Sequence, residues 1–272
     1  MILLVGATGF LGSVVASRLA DRRTAALVRP SSDISVLPRD LEIRVGDLNA
    51  PLPLEGISTL IYCASMGFGH IPSLMTQLKS SGVKRGIFIS TTAIFTSLPS
   101  TSRTVRVAAE AAVQSSHLEW TILRPTMIYG TSRDRNISRL LRFLKRSPVF
   151  PLCGNALWQP IHVEDLADAI LAALDKAVTH RQIYNVAGAA PLRFSELVRT
   201  AARAVNRPVL LVPVPVEAAV LAAKVTRVVT PEQIRRLAED KVFSYADAAR
   251  DFMFAPRSFA EGVRLEAQSL GL

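Results

Sequence analysis

Gly6, Gly9 and Gly12 are the residues whose type and spacing most directly suggest chemistry, and they stand in the phrase Gly6-Ala7-Thr8-Gly9-Phe10-Leu11-Gly12. A glycine at the first position permits a tight turn. One at the second removes the Cβ that would hold a pyrophosphate off the backbone, and one at the third lets a helix pack close to a strand. The apolar run Ile2-Leu3-Leu4-Val5 precedes the phrase and reads as a buried strand. Val14, Val15 and Leu19 follow at helical spacing up to Asp21. The glycines therefore sit where a strand hands over to a helix, whose N-terminus offers N–H groups and partial positive charge to an anion. That arrangement suits a dinucleotide.

A second candidate lies at the end of the next strand, Thr24 to Val28, which runs into Arg29-Pro30-Ser31-Ser32. In a doubly wound sheet this place faces the adenosine ribose, where an acidic residue favours NAD and a cation favours the 2'-phosphate of NADP. Arg29 with hydroxyls behind it points to NADP, with NAD as the alternative; the competing reading is a solvated surface arginine.

These elements continue in a regular order. Glu42 to Val45, Thr59 to Tyr62, Gly86 to Ser90 and Glu119 to Arg124 read as further strands. Helices are expected up to about Ser81 and from about Thr104 to Ser116. Alternating strands and helices predict an α/β fold with a parallel sheet. The chain has 272 residues, 49% hydrophobic and 20% charged, which allows a full core and argues against disorder. No apolar run is long enough to span a bilayer. With strand 1 starting at residue 2, no cleavable leader is expected, and Cys63 and Cys153 are expected to be reduced thiols in a cytoplasmic protein. The net charge of +10 fits anionic ligands. No helix-turn-helix, zinc-finger or RNA-binding aromatic signature accompanies it, so nucleic acid is not expected, and no metal-ligand spacing occurs.

The glycine phrase resembles the opening of the extended and atypical short-chain dehydrogenase/reductases, the superfamily of nucleotide-sugar epimerases and dehydratases. Later segments carry the likeness on. Gly46-Asp47-Leu48 is similar to the turn that holds adenine through its Asp, and Cys63-Ala64-Ser65 occupies the place of the small residue beside the cofactor ribose and phosphates. Leu123-Arg124-Pro125-Thr126-Met127-Ile128-Tyr129-Gly130 resembles the loop beside the nicotinamide. Gln159-Pro160-Ile161-His162-Val163-Glu164-Asp165-Leu166-Ala167, Tyr184-Asn185-Val186-Ala187-Gly188 and Thr230-Pro231-Glu232-Gln233 resemble segments of the second half. The resemblance implies a doubly wound parallel (Rossmann) sheet with a smaller, mostly helical C-terminal lobe, a substrate cleft between them, and an NADP cofactor. It implies cofactor contacts from Gly6, Thr8, Gly9, Phe10, Leu11, Gly12, Arg29, Asp47, Leu48, Ala64, Ser90 and Pro125.

The superfamily's hydride chemistry uses a Tyr-x-x-x-Lys pair with a nearby Ser or Thr; the lysine lowers the tyrosine pKa so that the phenolate can take a proton near neutrality. Thr91 falls at the Ser/Thr position. Counting back from Glu110, however, Ser102 stands at the tyrosine position and Arg106 at the lysine position, and no Tyr-x-x-x-Lys occurs anywhere. A serine hydroxyl cannot replace a phenol as an acid or base, although Arg106 keeps a permanent cation there. Tyr129 and His70 are the candidates to supply the acid/base function, each against a plain structural reading. His117 and His180 read as loop residues, and His162 as a residue that orients its turn.

The chain is expected to be one chain-long unit. Its dinucleotide-binding core covers about residues 1–130 and 155–190, and its substrate lobe covers about 131–154 and 191–272. In the lobe, Arg139, Arg142 and Arg146 share a helical face, which suits a diphosphate or solvent equally. The apolar segment Val216 to Val229 reads as buried core, with a lipid-linked substrate or a membrane surface as the other reading. The sequence thus predicts an NADP-preferring oxidoreductase or epimerase-like protein for a small-molecule substrate such as a sugar nucleotide. The alternative is a non-catalytic redox sensor or accessory subunit, and homodimerisation is left open.

Overall fold

The computed structural model describes residues 1–98, 100–219 and 238–272. The segment Val216 to Val229 beyond its first four residues, and Thr230-Pro231-Glu232-Gln233, lie outside the described residues. Two compact units are present. The first comprises Met1–Pro125, Glu164–Val186 and Tyr245–Phe254; the second comprises Thr126–Val163, Ala187–Ser244 and Ala255–Leu272. Residues 126–130, 155–163 and 187–190, grouped with the sheet in the sequence reading, pack within the second unit, and 245–254 within the first.

The first unit is built on strands β1 (Ile2–Val5), β2 (Thr24–Val28), β3 (Glu42–Val45), β4 (Thr59–Tyr62), β5 (Arg85–Ile89), β6 (Glu119–Pro125) and β11 (Gln182–Val186). They form a seven-stranded sheet in the order β11-β6-β5-β4-β1-β2-β3. Every pairing is parallel, in register Ile2↔Thr24 and Ile2↔Thr59 around the central strand. The strand order reverses between β1 and β4, and such a switch point is where doubly wound sheets bind ligands beyond the strands' carboxyl ends.

Helices cover both faces. Leu3, Val5, Ala25, Leu27 and Tyr62 form one core with Leu74 and Leu78 of α2 (Ile71–Lys79) and Ala109 and Val113 of α3 (Thr101–Gln114). The strand residues in this set are two apart, the period that sends alternate side chains to one face. On the other face, α1 (Phe10–Arg18) is tied to α5 (Val163–Leu174) and the residue after it. Arg18 pairs with Glu164, and Arg22 donates two 2.6 Å bonds to the Asp175 carboxylate. Helix α1 ends before Asp21 because Leu19 already has φ −99° and ψ 7°, outside helical geometry. Helix α3 begins at Thr101, three residues earlier than the periodicity predicts.

The second unit holds helices α4 (Ile137–Arg146), α6 (Phe194–Ala204) and, with α7 (Ala246–Phe252) belonging to the first unit, α8 (Phe259–Ser269). Short ladders accompany them: β7 (Ile128–Tyr129) with β10 (Ile161–His162), β9 (Leu157–Trp158) with β12 (Leu192–Arg193), and β8 (Val149–Cys153) with β13 (Leu210–Val214). Ile137, Leu141 and Leu144 of α4 meet Leu197, Val198 and Ala201 of α6 and Val263 of α8 in one core. Among the described residues no helix is long and apolar enough to cross a membrane.

A carboxyl pair is buried in this unit. Asp134 starts α4: its Oδ1 accepts the Asn136 and Ile137 N–H groups at 2.6 and 2.9 Å, and its Oδ2 accepts that of Ser138 at 3.1 Å. Glu266 of α8 is 0% exposed and faces it. Burial, and then the Asp134 carboxylate, push the Glu266 carboxyl up to about 10, so it is protonated at neutral pH. The folded state thus binds a proton that the unfolded chain releases. This contribution to stability is complete below the ordinary glutamate pKa and is lost as pH rises through about 10. Glu266→Gln keeps a donor toward Asp134 without the proton linkage. Its thermal midpoint should match the wild type near pH 4 and exceed it at pH 8, by up to about 5 kcal/mol of stability at the arithmetic of 1.36 kcal/mol per pK unit.

Candidate functional site

The glycine phrase forms the turn from β1 into α1, and the three glycines differ in what they do. Gly6 has φ +79°, and a Cβ there would lie 2.7 Å from the Ala64 backbone nitrogen beyond β4. At Gly12 a Cβ would lie 2.0 Å from the Gly6 carbonyl oxygen, so α1 touches the turn through backbone alone. Gly9 is unlike either. It is the N-cap of α1 with φ −73° and ψ 173°, which any residue adopts, and its Cβ would meet only the Gly6 oxygen, at 3.0 Å. A Cβ here would press the Gly6 oxygen and, at the mouth of the helix, would also occupy the place of an approaching anion. Helix α1 has no acidic residue in its first turn to oppose a phosphate. The cradle fits a dinucleotide pyrophosphate. Phe10 and Leu11 open the helix with Thr8 before them, and Ala64 packs against Gly6, so these expected contact residues are gathered around one turn.

The carboxyl ends of β2, β3 and β4 bring Arg29, Asp47 and His70 together. Arg29 is exposed, and its N–H donates to Ser32 Oγ at 3.2 Å, while Ser32 N–H returns a bond to the Arg29 carbonyl at 2.9 Å. Asp47 Oδ1 accepts the Asn49 backbone and side-chain N–H groups, each at 2.8 Å. Those bonds, and then the charges of Arg29 and His70, hold the Asp47 carboxyl below the usual range, so it stands as an ionised acceptor after β3. Leu48 beside it packs at the edge of the core. His70 begins α2 with its backbone, and its ring lies 6.2 Å from that of Phe68. The imidazole thus lies within electrostatic reach of Asp47, as Arg29 does, in the loop after β4.

At the ends of β5 and β6 the organising group is Glu110 of α3. Arg124 donates to its carboxylate from Nε at 3.1 and 3.2 Å and also from Nη2, and Ser90 Oγ donates to it as well. Ser90 was expected at the cofactor, but its hydroxyl is buried and turned inward onto Glu110, where it adds a donor to the carboxylate already paired with Arg124. Ser102, Arg106 and Glu110 are four apart and share a helix face. Arg106 Nη1 donates to Ser102 Oγ at 3.0 Å. Its guanidinium lies against Gly67, where a Cβ would sit 3.3 Å from Arg106 Nε and 3.3 Å from Ser65 Oγ. The contact with Ser65 and Gly67 was not evident in the sequence, because it joins α3 to the turn after β4. Thr91 Oγ1 accepts the Ala93 N–H at 3.2 Å at the start of the turn after β5, and the Pro125 carbonyl accepts from Thr92 Oγ1 at 3.2 Å. Arg124 lies 5.0 Å from the centre of the Phe95 ring. Burial pushes the Cys63 thiol up to about 12, so it is not a thiolate nucleophile.

Tyr129 is a packing residue rather than an acid/base group. It is 1% exposed in the core of the second unit, with ring centroids 5.3 Å from His162 and 5.2 Å from Phe259. A Cβ on Gly262 would fall 2.1 Å from its hydroxyl, so the phenol is enclosed by α8. His162 is buried as well. Burial, and then the charge of Arg257, push its imidazole down to about 4, and it is neutral. Gly130, at φ +127°, would place a Cβ 2.5 Å from His162 Nε2, so the histidine packs onto the turn it follows in space. The neighbouring Gln159 donates from Nε2 to the Gly188 carbonyl at 2.7 Å and accepts the Phe243 N–H at 3.0 Å. No group of His, Cys, Asp and Glu among the described residues is arranged to hold a metal.

Gly9→Val should abolish NADPH binding in calorimetric titration, and Gly9→Ala, whose single Cβ meets the Gly6 oxygen at 3.0 Å, should weaken it while a melting curve shows the chain still folded. Retained binding would remove the pyrophosphate from this turn.

Comparisons with known proteins agree with this cradle. The sequence profile of a family described as NAD(P)H-binding matches residues 6–177. The chain is 25% identical to a UDP-glucose 4-epimerase of Vibrio cholerae over 79% of each chain. It is 29% identical to an NAD(P)H azoreductase of Xenophilus azovorans over 97% of this chain and 90% of that one. The fold matches a UDP-glucuronic acid 4-epimerase from Bacillus cereus in complex with NAD, with a TM-score of 0.78 at 15% identity, over 99% of this chain and 98% of that one. The chain belongs to the family described as NAD(P)H-binding.

Proposed function

We propose that the protein is an NADPH-preferring reductase whose acceptor takes its proton from water, an acceptor with a polarised C=O or N=N bond. The observation that carries this reading is the Ser102–Arg106 pair, bonded at 3.0 Å where the superfamily it resembles places tyrosine and lysine. Interconverting a sugar alcohol requires a base that takes the alcohol proton near neutrality, and neither a serine hydroxyl nor a guanidinium does so. Reduction of an electron-poor acceptor has no such need. When bound, NADPH supplies the hydride. Arg106 contributes a fixed positive charge beside Ser65 and Gly67, suited to holding a ribose or a developing anion. Thr91, at the end of β5, offers a hydroxyl to the acceptor heteroatom. The likeness to an azoreductase along nearly the whole chain supports the same reading. A sugar-nucleotide carbonyl stays in the same acceptor class. Cys63 and Cys153 are unpaired thiols, which suits a reducing compartment such as the cytoplasm.

The preference for NADPH rests on Arg29, exposed beside Asp47 at the adenosine end. A charge-assisted contact to the 2'-phosphate implies a roughly ten- to hundredfold preference. Arg29→Ala should weaken NADPH by that factor and leave NADH unchanged, and equal loss for both would remove Arg29 from the site. The reaction is tested by following NADPH consumption with an azo dye, a quinone and a sugar nucleotide in parallel with epimerisation of UDP-glucose. The expected result is NADPH oxidation without epimerisation. Tight binding with no turnover of any acceptor would overturn the reductase in favour of a cofactor-binding sensor or accessory subunit.

A further inference from the structure

The surface of the second unit that carries α4 and the β8–β13 ladder has an excess of positive charge and an apolar edge, with Glu217 as the carboxylate that reaches the Cys153 end of β8. From Arg135 to Val163 and from Leu197 to Val216 the chain contains no Asp or Glu. Arg139, Arg142 and Arg146 are exposed on α4, on the side opposite the buried Ile137, Leu141 and Leu144. Arg146 leads within three residues to Val149, the first residue of β8, which pairs with Leu210. Arg207 is exposed just before that strand.

In this ladder Phe150 and Leu211 turn to the core, whereas Val149, Leu210 and Val212 face outward and are 42%, 64% and 41% exposed. Phe143, at the flank of the basic helix face, is 44% exposed and makes an edge-to-face contact with Phe150 at 5.8 Å. Strand pairing offers no reason for three large aliphatic side chains to face water, and no carboxylate in these segments neutralises the arginines. An apolar edge rimmed by cations suits the boundary of an anionic bilayer, where hydrocarbon lies beneath negative headgroups.

We propose that this face docks on an anionic lipid surface. Phe143, Val149, Leu210 and Val212 enter the interface, and Arg139, Arg142, Arg146 and Arg207 meet headgroup phosphates. The binding is peripheral, because the apolar side of α4 is already committed to the protein core and only its cationic side is available. Nucleic acid would satisfy the cations but would leave the aliphatic edge in water, which is why lipid is the occupant favoured here.

The test is co-sedimentation of the full chain with vesicles of phosphatidylcholine alone and of phosphatidylcholine mixed with phosphatidylglycerol, at low and high salt. Binding should require the anionic lipid and fall with salt. Arg139→Gln with Arg142→Gln and Arg146→Gln should weaken it about a hundredfold, some fivefold for each cation. Leu210→Thr with Val212→Thr should also weaken it, and both variants should keep the wild-type melting temperature and NADPH affinity. Equal binding to both vesicle types, no binding to either, or a charge variant that binds as the wild type would overturn the proposal. So would binding that ignores the Leu210 and Val212 changes and is displaced by single-stranded RNA, which would make the face a polyanion site.

Discussion

The buried contact of Arg124 with Glu110, shared by Ser90, governs the placement of the groups proposed for chemistry. It joins the middle of α3 to the ends of β5 and β6, and a carboxylate so buried cannot be left without its partner except at a cost of about 3–5 kcal/mol. Helix α3 is therefore held at one rotation against the sheet. Since Arg106 and Ser102 lie one and two turns before Glu110 on the same face, that rotation also brings Arg106 against Gly67 and within bonding distance of Ser102. The electrostatic requirement of one core carboxylate thus reaches the end of the sheet where a cofactor would be handled.

The glycine turn supplies a complementary constraint from the first helix. Gly12 and Gly6 are demanded by backbone contacts of 2.0 and 2.7 Å, which no side chain survives, whereas at Gly9 a Cβ would press only the Gly6 oxygen, at 3.0 Å, and would face what approaches from outside. Further along the strand ends, Asp47 is held ionised by Asn49 and Arg29, which sets a fixed acceptor beside a fixed cation after β2 and β3. In the second unit the Tyr129 phenol is walled in by α8, and the histidine that packs on it is neutral.

The core of the second unit follows ordinary packing. Its helices meet through leucine, valine and alanine, and Asp134 caps α4 while a protonated Glu266 faces it. Part of the cation surplus read from composition stands on the exposed side of α4, where Arg139, Arg142 and Arg146 lie in a stretch without Asp or Glu.

Much was legible from local sequence, for a definite reason. Strand runs, the glycine spacing and the turn residues after β2 and β3 depend on interactions within a few positions, so β1 to β4 and the phosphate turn were placed from residue types alone, and the missing tyrosine and lysine were visible as Ser102 and Arg106. What tertiary structure alone decided were roles that depend on residues far apart in the chain. Ser90 turns inward to donate to Glu110, twenty positions later. Tyr129 is enclosed because Gly262 admits its hydroxyl, and His70 acts on Asp47 because the loop after β4 brings it within electrostatic reach of the turn after β3. Asp134 and Glu266 form a pair that no spacing announces, since a helix cap and a distant helix supply one carboxyl each. Sequence determined which groups were available and which turns could hold them; packing decided which of them face solvent or ligand and which are consumed in keeping the core neutral.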